Sequence, residues 1–204
     1  KTITIQDNGI GMDENDMQVN LGTIAKSGTE DFIKKLGDKK GDVNQIGKFG
    51  VGFYSSFMVS DQVVVRSKKY DSSSSFLWTS DGKGTFSIEP TEFNMSGTEI
   101  TLSIKKDEDE FLSKYRIEEI VKKYSDFVPF PIFVTSEEDK KEKKDKEEKE
   151  EQVNSAEAIW LKDKTKIKED EYKSFFNQTS TYYDEPLQTI HFKAEGVVNY
   201  TALL

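Results

Sequence analysis

Fifteen consecutive charged residues, Glu137–Glu151, interrupt the chain and decide what it can fold into. The run offers no apolar face, so no hydrophobic core can be built through it. Packing must occur separately on either side. We therefore expect a charged linker over 136–153 between a first domain, 1–135, and a second, 154–204. The plain reading of the run is a disordered tether. A solvated helix held by Glu-to-Lys pairs four residues apart, such as Glu137 with Lys141, is the alternative. Neither makes it a site.

Before the run the pattern is mixed α and β. Ile3 and Ile5 alternate with threonines into an Asp7-Asn8-Gly9 turn, which predicts a strand and a tight loop. An acidic start and the spacing of Met17 and Leu21 predict a short helix over Asp13–Leu21. Thr23–Gly47 is rich in glycine, lysine and small residues, and reads as a mobile segment around a short helix at Thr29–Leu36. Phe53–Val59 reads as a compact apolar helix following a glycine cluster. Strands are expected at Gln62–Ser67, Ser75–Thr79, Thr85–Ile88 and Thr98–Ile104, with turn signals between them as in an antiparallel meander. Ile117, Ile120, Val121 and Tyr124 recur at helical spacing, predicting a helix over Glu110–Phe127 that leads through Pro129 and Pro131 into an Ile132-Phe133-Val134 strand. After the run, Ala158-Ile159-Trp160, a Glu169–Phe176 helix and two strands around Glu195-Gly196 begin a second α/β domain.

Lys1-Thr2-Ile3-Thr4-Ile5 starts inside a strand pattern and Val197–Leu204 stops inside another, so we read the chain as a piece of a longer protein. A net charge of −9 argues against a general grip on nucleic acid, which needs clustered positive charge. No run approaches ~18 apolar residues, so no membrane span is expected. The absence of cysteine excludes disulfides and thiolate metal sites.

Two glycine-rich motifs carry the chemistry. In Asp7-Asn8-Gly9-Ile10-Gly11-Met12, a carboxylate at a strand end can accept a hydrogen bond from an exocyclic amine. The glycines allow close backbone approach, and Met12 offers a soft wall to a flat ring. An ordinary strand-to-helix turn is the bland alternative. In Gly47-Lys48-Phe49-Gly50-Val51-Gly52-Phe53, successive amides at a helix start can form an anion nest suited to phosphates. A flexible hinge is the alternative. The motif lacks the Gly-Lys-Ser/Thr ending of a Walker loop and the third glycine of the dinucleotide fingerprint.

The two motifs are joined by Asn20-Leu21-Gly22-Thr23-Ile24-Ala25-Lys26-Ser27-Gly28-Thr29. In this order the three stretches resemble the Hsp90 branch of the Bergerat-fold ATPases, which also include gyrase B, the MutL repair proteins and sensor histidine kinases. The resemblance continues through Ser96-Gly97-Thr98, Val121-Lys122-Lys123-Tyr124-Ser125 and Phe130-Pro131-Ile132. It resumes at Trp160, at Asp170-Glu171-Tyr172-Lys173 and at His191-Phe192-Lys193-Ala194-Glu195-Gly196. It implies a two-layer α/β sandwich, sheet on one side and helices on the other, that binds ATP or ADP. Asp7 would bind the adenine amine with Thr98 helping through a water, Met12 would line the base, and Gly11 would belong to the same ATP site. Asn20 would contact the sugar–phosphate region, and Lys26 would approach the phosphates. The backbone of Gly47, Phe49, Gly50, Val51, Gly52 and Phe53 would wrap them, beneath a lid over Gly22–Gly47.

By the same resemblance the catalytic glutamate and the magnesium-holding asparagine precede Lys1, and a catalytic arginine follows Leu204. This stretch alone should not hydrolyse ATP, and Mg2+ should have no ligand residue within it. The intact protein would be an ATPase chaperone that closes on client proteins as a homodimer through a carboxy-terminal domain, with co-chaperones as further partners. The bacterial cytoplasm is the expected setting, with the endoplasmic reticulum lumen or mitochondrion as alternatives. Another Bergerat ATPase, or a nucleotide-regulated scaffold without hydrolysis, is the rival reading.

Other conspicuous residues have plain explanations. His191, the single histidine, is expected as a packed strand residue rather than a metal ligand. Trp78 and Trp160 are expected in packing. Tyr182-Tyr183 reads as a loop-edge pair. Lys34, Lys35, Lys39 and Lys40 form no stripe with aromatics for nucleic acid.

Overall fold

The computed structural model describes residues 1–23, 26, 28, 50–137, 151–180, 185–196 and 200–204. They fall into two units, Lys1–Arg116 and Ile117–Leu204. The expected helix at Thr29–Leu36, the Tyr182-Tyr183 pair and most of the charged run lie outside the described residues.

Period-two alternation builds the sheet of the first unit. Strands β1 (Thr2–Asp7), β2 (Ser60–Lys68), β3 (Ser75–Ser80), β4 (Phe86–Thr91) and β5 (Gly97–Ile104) are antiparallel in the order β1-β5-β2-β3-β4. The expected meander holds for β2 to β4 only. Strand β5 crosses back to lie between β2 and β1, which is a Greek-key return. Pro90 within β4 has no N–H for a further ladder, which suits that strand to an edge.

Three cross-strand rows share one face. Ile3, Leu102 and Val63 form the first; Ile5, Ile100, Val65, Trp78 and Ile88 form the second; Asp7, Thr98, Ser67 and Phe76 form the third. Helix α1 (Glu14–Asn20) lays Met17 and the following Leu21 on this face, and Phe53 and Phe57 join them. Met17, Val63 and Val65 are fully buried, each worth roughly 1.5–3 kcal/mol of transfer free energy. The opposite face is polar, with Thr4 and Thr101 hydroxyls 3.3 Å apart and a cross-strand ion pair between Arg66 and Glu99. Sheet below and helices above give the two-layer α/β architecture.

Helix α1 starts where it does because Asp13 caps it. The Asp13 carboxylate accepts from Asp16 N–H at 2.8 Å, and Asp16 accepts from Asp13 N–H at 3.2 Å, a reciprocal capping box. Lys69 Nζ reaches both carboxylates, at 2.6 and 2.7 Å. Its hydrogen bond holds the Asp13 carboxyl below the usual range and raises the Lys69 ammonium.

Two expected helices are broken. Phe53–Val59 divides into a 3-10 turn, Gly52–Ser55, and a single turn α2, Ser56–Val59. Ser55, Ser56 and Ser60 hydroxyls each donate to a carbonyl three or four residues back, and Ser60 is extended as β2 begins. The expected Glu110–Phe127 helix is instead a 3-10 segment, Lys106–Leu112, followed by α3, Lys114–Tyr124, because Ser113 between them is extended at ψ 123°.

In the second unit the expected Ile132–Val134 strand shrinks to one bridge, Phe133 with Gln152, beside Val153 N–H donating to the Ile132 carbonyl at 2.8 Å. Buried Asn154 explains this local order. Its Oδ1 accepts from Ile132 N–H at 2.8 Å, and its Nδ2 donates to the carbonyls of Phe130 and Val128 at 3.0 and 3.1 Å. The two prolines in this stretch leave few backbone donors, so a side chain closes the turn. Helix α4 (Glu169–Thr179) carries Phe175, which meets Phe127 and Trp160 with ring centroids 5.7 Å away in each case. Strands β6 (His191–Ala194) and β7 (Tyr200–Leu203) pair antiparallel. His191 is buried between the Tyr172 hydroxyl at Nδ1, 2.8 Å, and the Trp160 carbonyl at Nε2, 3.0 Å. A carbonyl only accepts, so Nε2 carries the proton.

Candidate functional site

The Greek-key return brings the site together. It places Thr98 between Asp7 and Ser67, residues distant in sequence, in a single row. Asp7 Oδ1 accepts from Gly9 N–H at 2.8 Å and from Thr98 N–H at 3.3 Å. These bonds orient the carboxylate, while Oδ2 accepts nothing from the described residues. Asp7 is exposed, so Oδ2 is presented outward as a fixed acceptor.

Ser67 was not among the expected site residues, yet it holds the floor. Its hydroxyl, fully buried, donates to Gly97 C=O at 2.7 Å and accepts from Met12 N–H at 2.8 Å. It also lies 3.0 Å from the Thr98 hydroxyl. With the Ser67 proton directed at Gly97, Thr98 donates to Ser67 and keeps its lone pairs for another donor. The one available signal was its place after Val63 and Val65 on the inward side of a strand. Gly11 follows from the same packing. At φ +62° its Cβ would lie 1.9 Å from the Lys68 carbonyl oxygen, so only glycine lets the loop cross here. Met12 then packs against the core with its amide fixed.

Two isoleucines near this carboxylate are also exposed. Ile5 shares its sheet face and is 54% exposed; Ile10 of the adjoining loop is 58% exposed. A fixed acceptor beside exposed apolar surface can receive a flat ring bearing an amine.

The second group lies at the end of α1. Asn20 is the last helical residue, and a Cβ on Gly28 would sit 3.3 Å from its Nδ2. Gly50, at φ +62°, packs so closely that a Cβ would lie 2.1 Å from the Lys26 carbonyl oxygen. The backbones of Lys26 and Gly50 are therefore in contact, and Lys26 is exposed. Val51 is exposed, and the N–H groups of Gly52 and Phe53 have no acceptor among the described residues. Phe53 turns its ring inward, 5.6 Å from Trp78. With only a 3-10 turn and one α turn behind it, the glycine run offers backbone amides rather than a substantial helix dipole. Gly47 and Phe49 lie outside the described residues, as does most of the expected lid.

Among the described residues no group of three or more His, Cys, Asp or Glu is placed to hold a metal, and no helix is long and apolar enough to cross a membrane.

Residues 1–108 match the family model described as histidine kinase-, DNA gyrase B-, and HSP90-like ATPase, and residues 110–152 and 135–204 match that of Hsp90 protein. Chaperone protein HtpG of Wolinella succinogenes is 50% identical over 204 residues, all of this chain and 33% of the relative. HtpG of Helicobacter pylori strain 26695 is 50% identical over 210 residues, again all of this chain and 34% of the relative. HtpG of Paramagnetospirillum magneticum is 46% identical over 204 residues, covering 31% of its length. The chain thus spans about a third of the length of these curated relatives.

Proposed function

Because this chain belongs to the Hsp90 proteins within the histidine kinase-, DNA gyrase B- and HSP90-like ATPases, we propose that it holds ATP or ADP as part of an ATP-dependent chaperone. The observation that carries this reading is the row Asp7–Thr98–Ser67, with Asp7 Oδ1 tied to backbone and Oδ2 open.

Asp7 Oδ2 accepts from the exocyclic amine of adenine, and the Thr98 hydroxyl assists through a water. A charge-assisted bond from a fixed carboxylate contributes about 1.5–3 kcal/mol. Met12 and Gly11 border the ring. Asn20 meets the sugar–phosphate region, Lys26 supplies positive charge, and the backbone from Gly47 to Phe53 offers N–H groups to phosphate oxygens. Magnesium, when bound with the nucleotide, would offset phosphate charge, and none of these residues is assigned as its ligand or as the general base. In the same reading the nucleotide domain extends to 135, the charged run links over 136–153, and 154 begins the next domain. The intact protein, a cytoplasmic homodimer, uses the nucleotide to shift its population toward a state closed on client proteins, with co-chaperones as further partners.

The test is calorimetric titration of ATP into the full-length protein, beside an Asp7→Asn variant. The asparagine turns an acceptor pair into one acceptor and one donor of nearly the same shape. Affinity should fall about 10- to 100-fold. Equal binding by the two proteins would remove Asp7 from the base site.

A further inference from the structure

Tyr54 stands directly behind the glycine run, and its hydroxyl donates to the Leu21 carbonyl at 3.0 Å. That carbonyl lies at the C-terminal end of α1, where helix carbonyls lack intrahelical donors. Leu21 is itself immobilised: it is buried, and its N–H donates to the Met17 carbonyl at 2.9 Å. Asn20 immediately precedes it.

The tyrosine is equally well held. Its N–H donates to the Val51 carbonyl at 3.3 Å, and its ring stands edge-on to Phe53 at 5.6 Å. Phe53 in turn meets Trp78 in the core. Burial pushes the Tyr54 hydroxyl above the ordinary phenol range, so it remains a donor through mildly alkaline pH. One hydrogen bond therefore joins segments 33 residues apart. Asn20 sits on one of them, and the backbone of Gly50 to Phe53 on the other. The row of Asp7, Thr98 and Ser67 is fixed by the sheet and is independent of this bond.

We propose that Tyr54 is a positioning residue of the nucleotide site. Its bond to Leu21 sets the separation of Asn20 from the glycine-run backbone, and hence the grip on the polyphosphate but not on the base. This rests on the nucleotide reading of the same site.

The test compares ATP, ADP and adenosine binding to the full-length protein carrying Tyr54→Phe, which removes one oxygen and keeps the ring. ATP and ADP should weaken about 3- to 10-fold while adenosine stays within about twofold of wild type. Asp7→Asn, measured in parallel, should weaken all three; if it does not, the nucleotide reading itself fails. If Asp7→Asn behaves as expected and Tyr54→Phe leaves the ATP-to-adenosine ratio unchanged, the positioning role is overturned. Equal loss for all three ligands also overturns it, since that marks general destabilisation. Hydrogen exchange on the wild type gives a second readout. ATP should protect the Gly22 and Phe53 amides together, and protection of only one would contradict the coupling.

Discussion

Thr98 N–H donates to Asp7 Oδ1 at 3.3 Å across the β1–β5 pair, so the sheet itself aims the carboxylate. The same oxygen takes Gly9 N–H, which leaves one oxygen committed to the fold and the other without a donor among the described residues. A side chain on a free loop would pay its own ordering entropy on binding; this one has been ordered already.

Ser67→Ala should be costly for so small a change. The methyl leaves Met12 N–H and Gly97 C=O without their partner in a buried position. Denaturant unfolding should show a loss of about 1–3 kcal/mol, with weaker ATP binding alongside. A loss below about 0.5 kcal/mol would mean that water replaces the hydroxyl there.

Gly11→Ala and Gly52→Ala should separate sharply in stability. The first forces a Cβ to 1.9 Å from the Lys68 carbonyl oxygen at positive φ, whereas nothing lies within 4 Å of a Cβ on Gly52. Thermal melts should place Gly11→Ala more than about 2 kcal/mol below wild type and Gly52→Ala within about 1 kcal/mol. Similar melting temperatures for both would refute the packing of Gly11 against β2.

Asn154→Ala should loosen the turn around Val128–Ile132 selectively. Ile132 N–H and the Phe130 and Val128 carbonyls all lose a buried partner. The expected loss is at least about 2 kcal/mol. Hydrogen exchange should show faster exchange at the Ile132 and Val153 amides, with β2 and β5 unaffected.

Asp126 should make the second unit acid-sensitive. Burial alone would raise its carboxyl, but the Ser155 hydroxyl, Gln178 amide and Ser155 N–H outweigh burial and hold it below the usual value of 3.8. A carboxyl lowered in the folded state stabilises the fold above its unfolded pKa, and that contribution fades as pH falls through the folded one. Melting temperature should therefore drop below about pH 3.8 in the wild type. Asp126→Asn should melt lower at neutral pH but decline less on acidification. Parallel curves for the two proteins would exclude this carboxylate as a source of the acid response.

What could be read from sequence was whatever depends on neighbours in the chain. Gly11 signals close backbone approach because only a missing Cβ satisfies it, and Asp13 signals a helix start because its cap is three residues away. Tyr54 was silent, and Ser67 showed only an inward place after Val63 and Val65. A serine on a strand and a tyrosine after glycines look ordinary until the fold supplies Met12, Thr98 and Leu21 as partners. The hydrophobic spacing of Ile117, Ile120 and Val121 was real, but it carried no information about the extended backbone at Ser113 that delays α3. Turn signals likewise specified the β2–β3 and β3–β4 hairpins and not where β5 would land.

The place where β5 lands also sets a clock. Its position between β1 and β2 means that Asp7 gains its ladder partner only after Gly97–Ile104 has been synthesised and has closed a long loop. Until then a growing chain carries the glycine motifs but not the oriented carboxylate. On the proposed reading, a base held by Asp7 would stabilise only a sheet that has already closed.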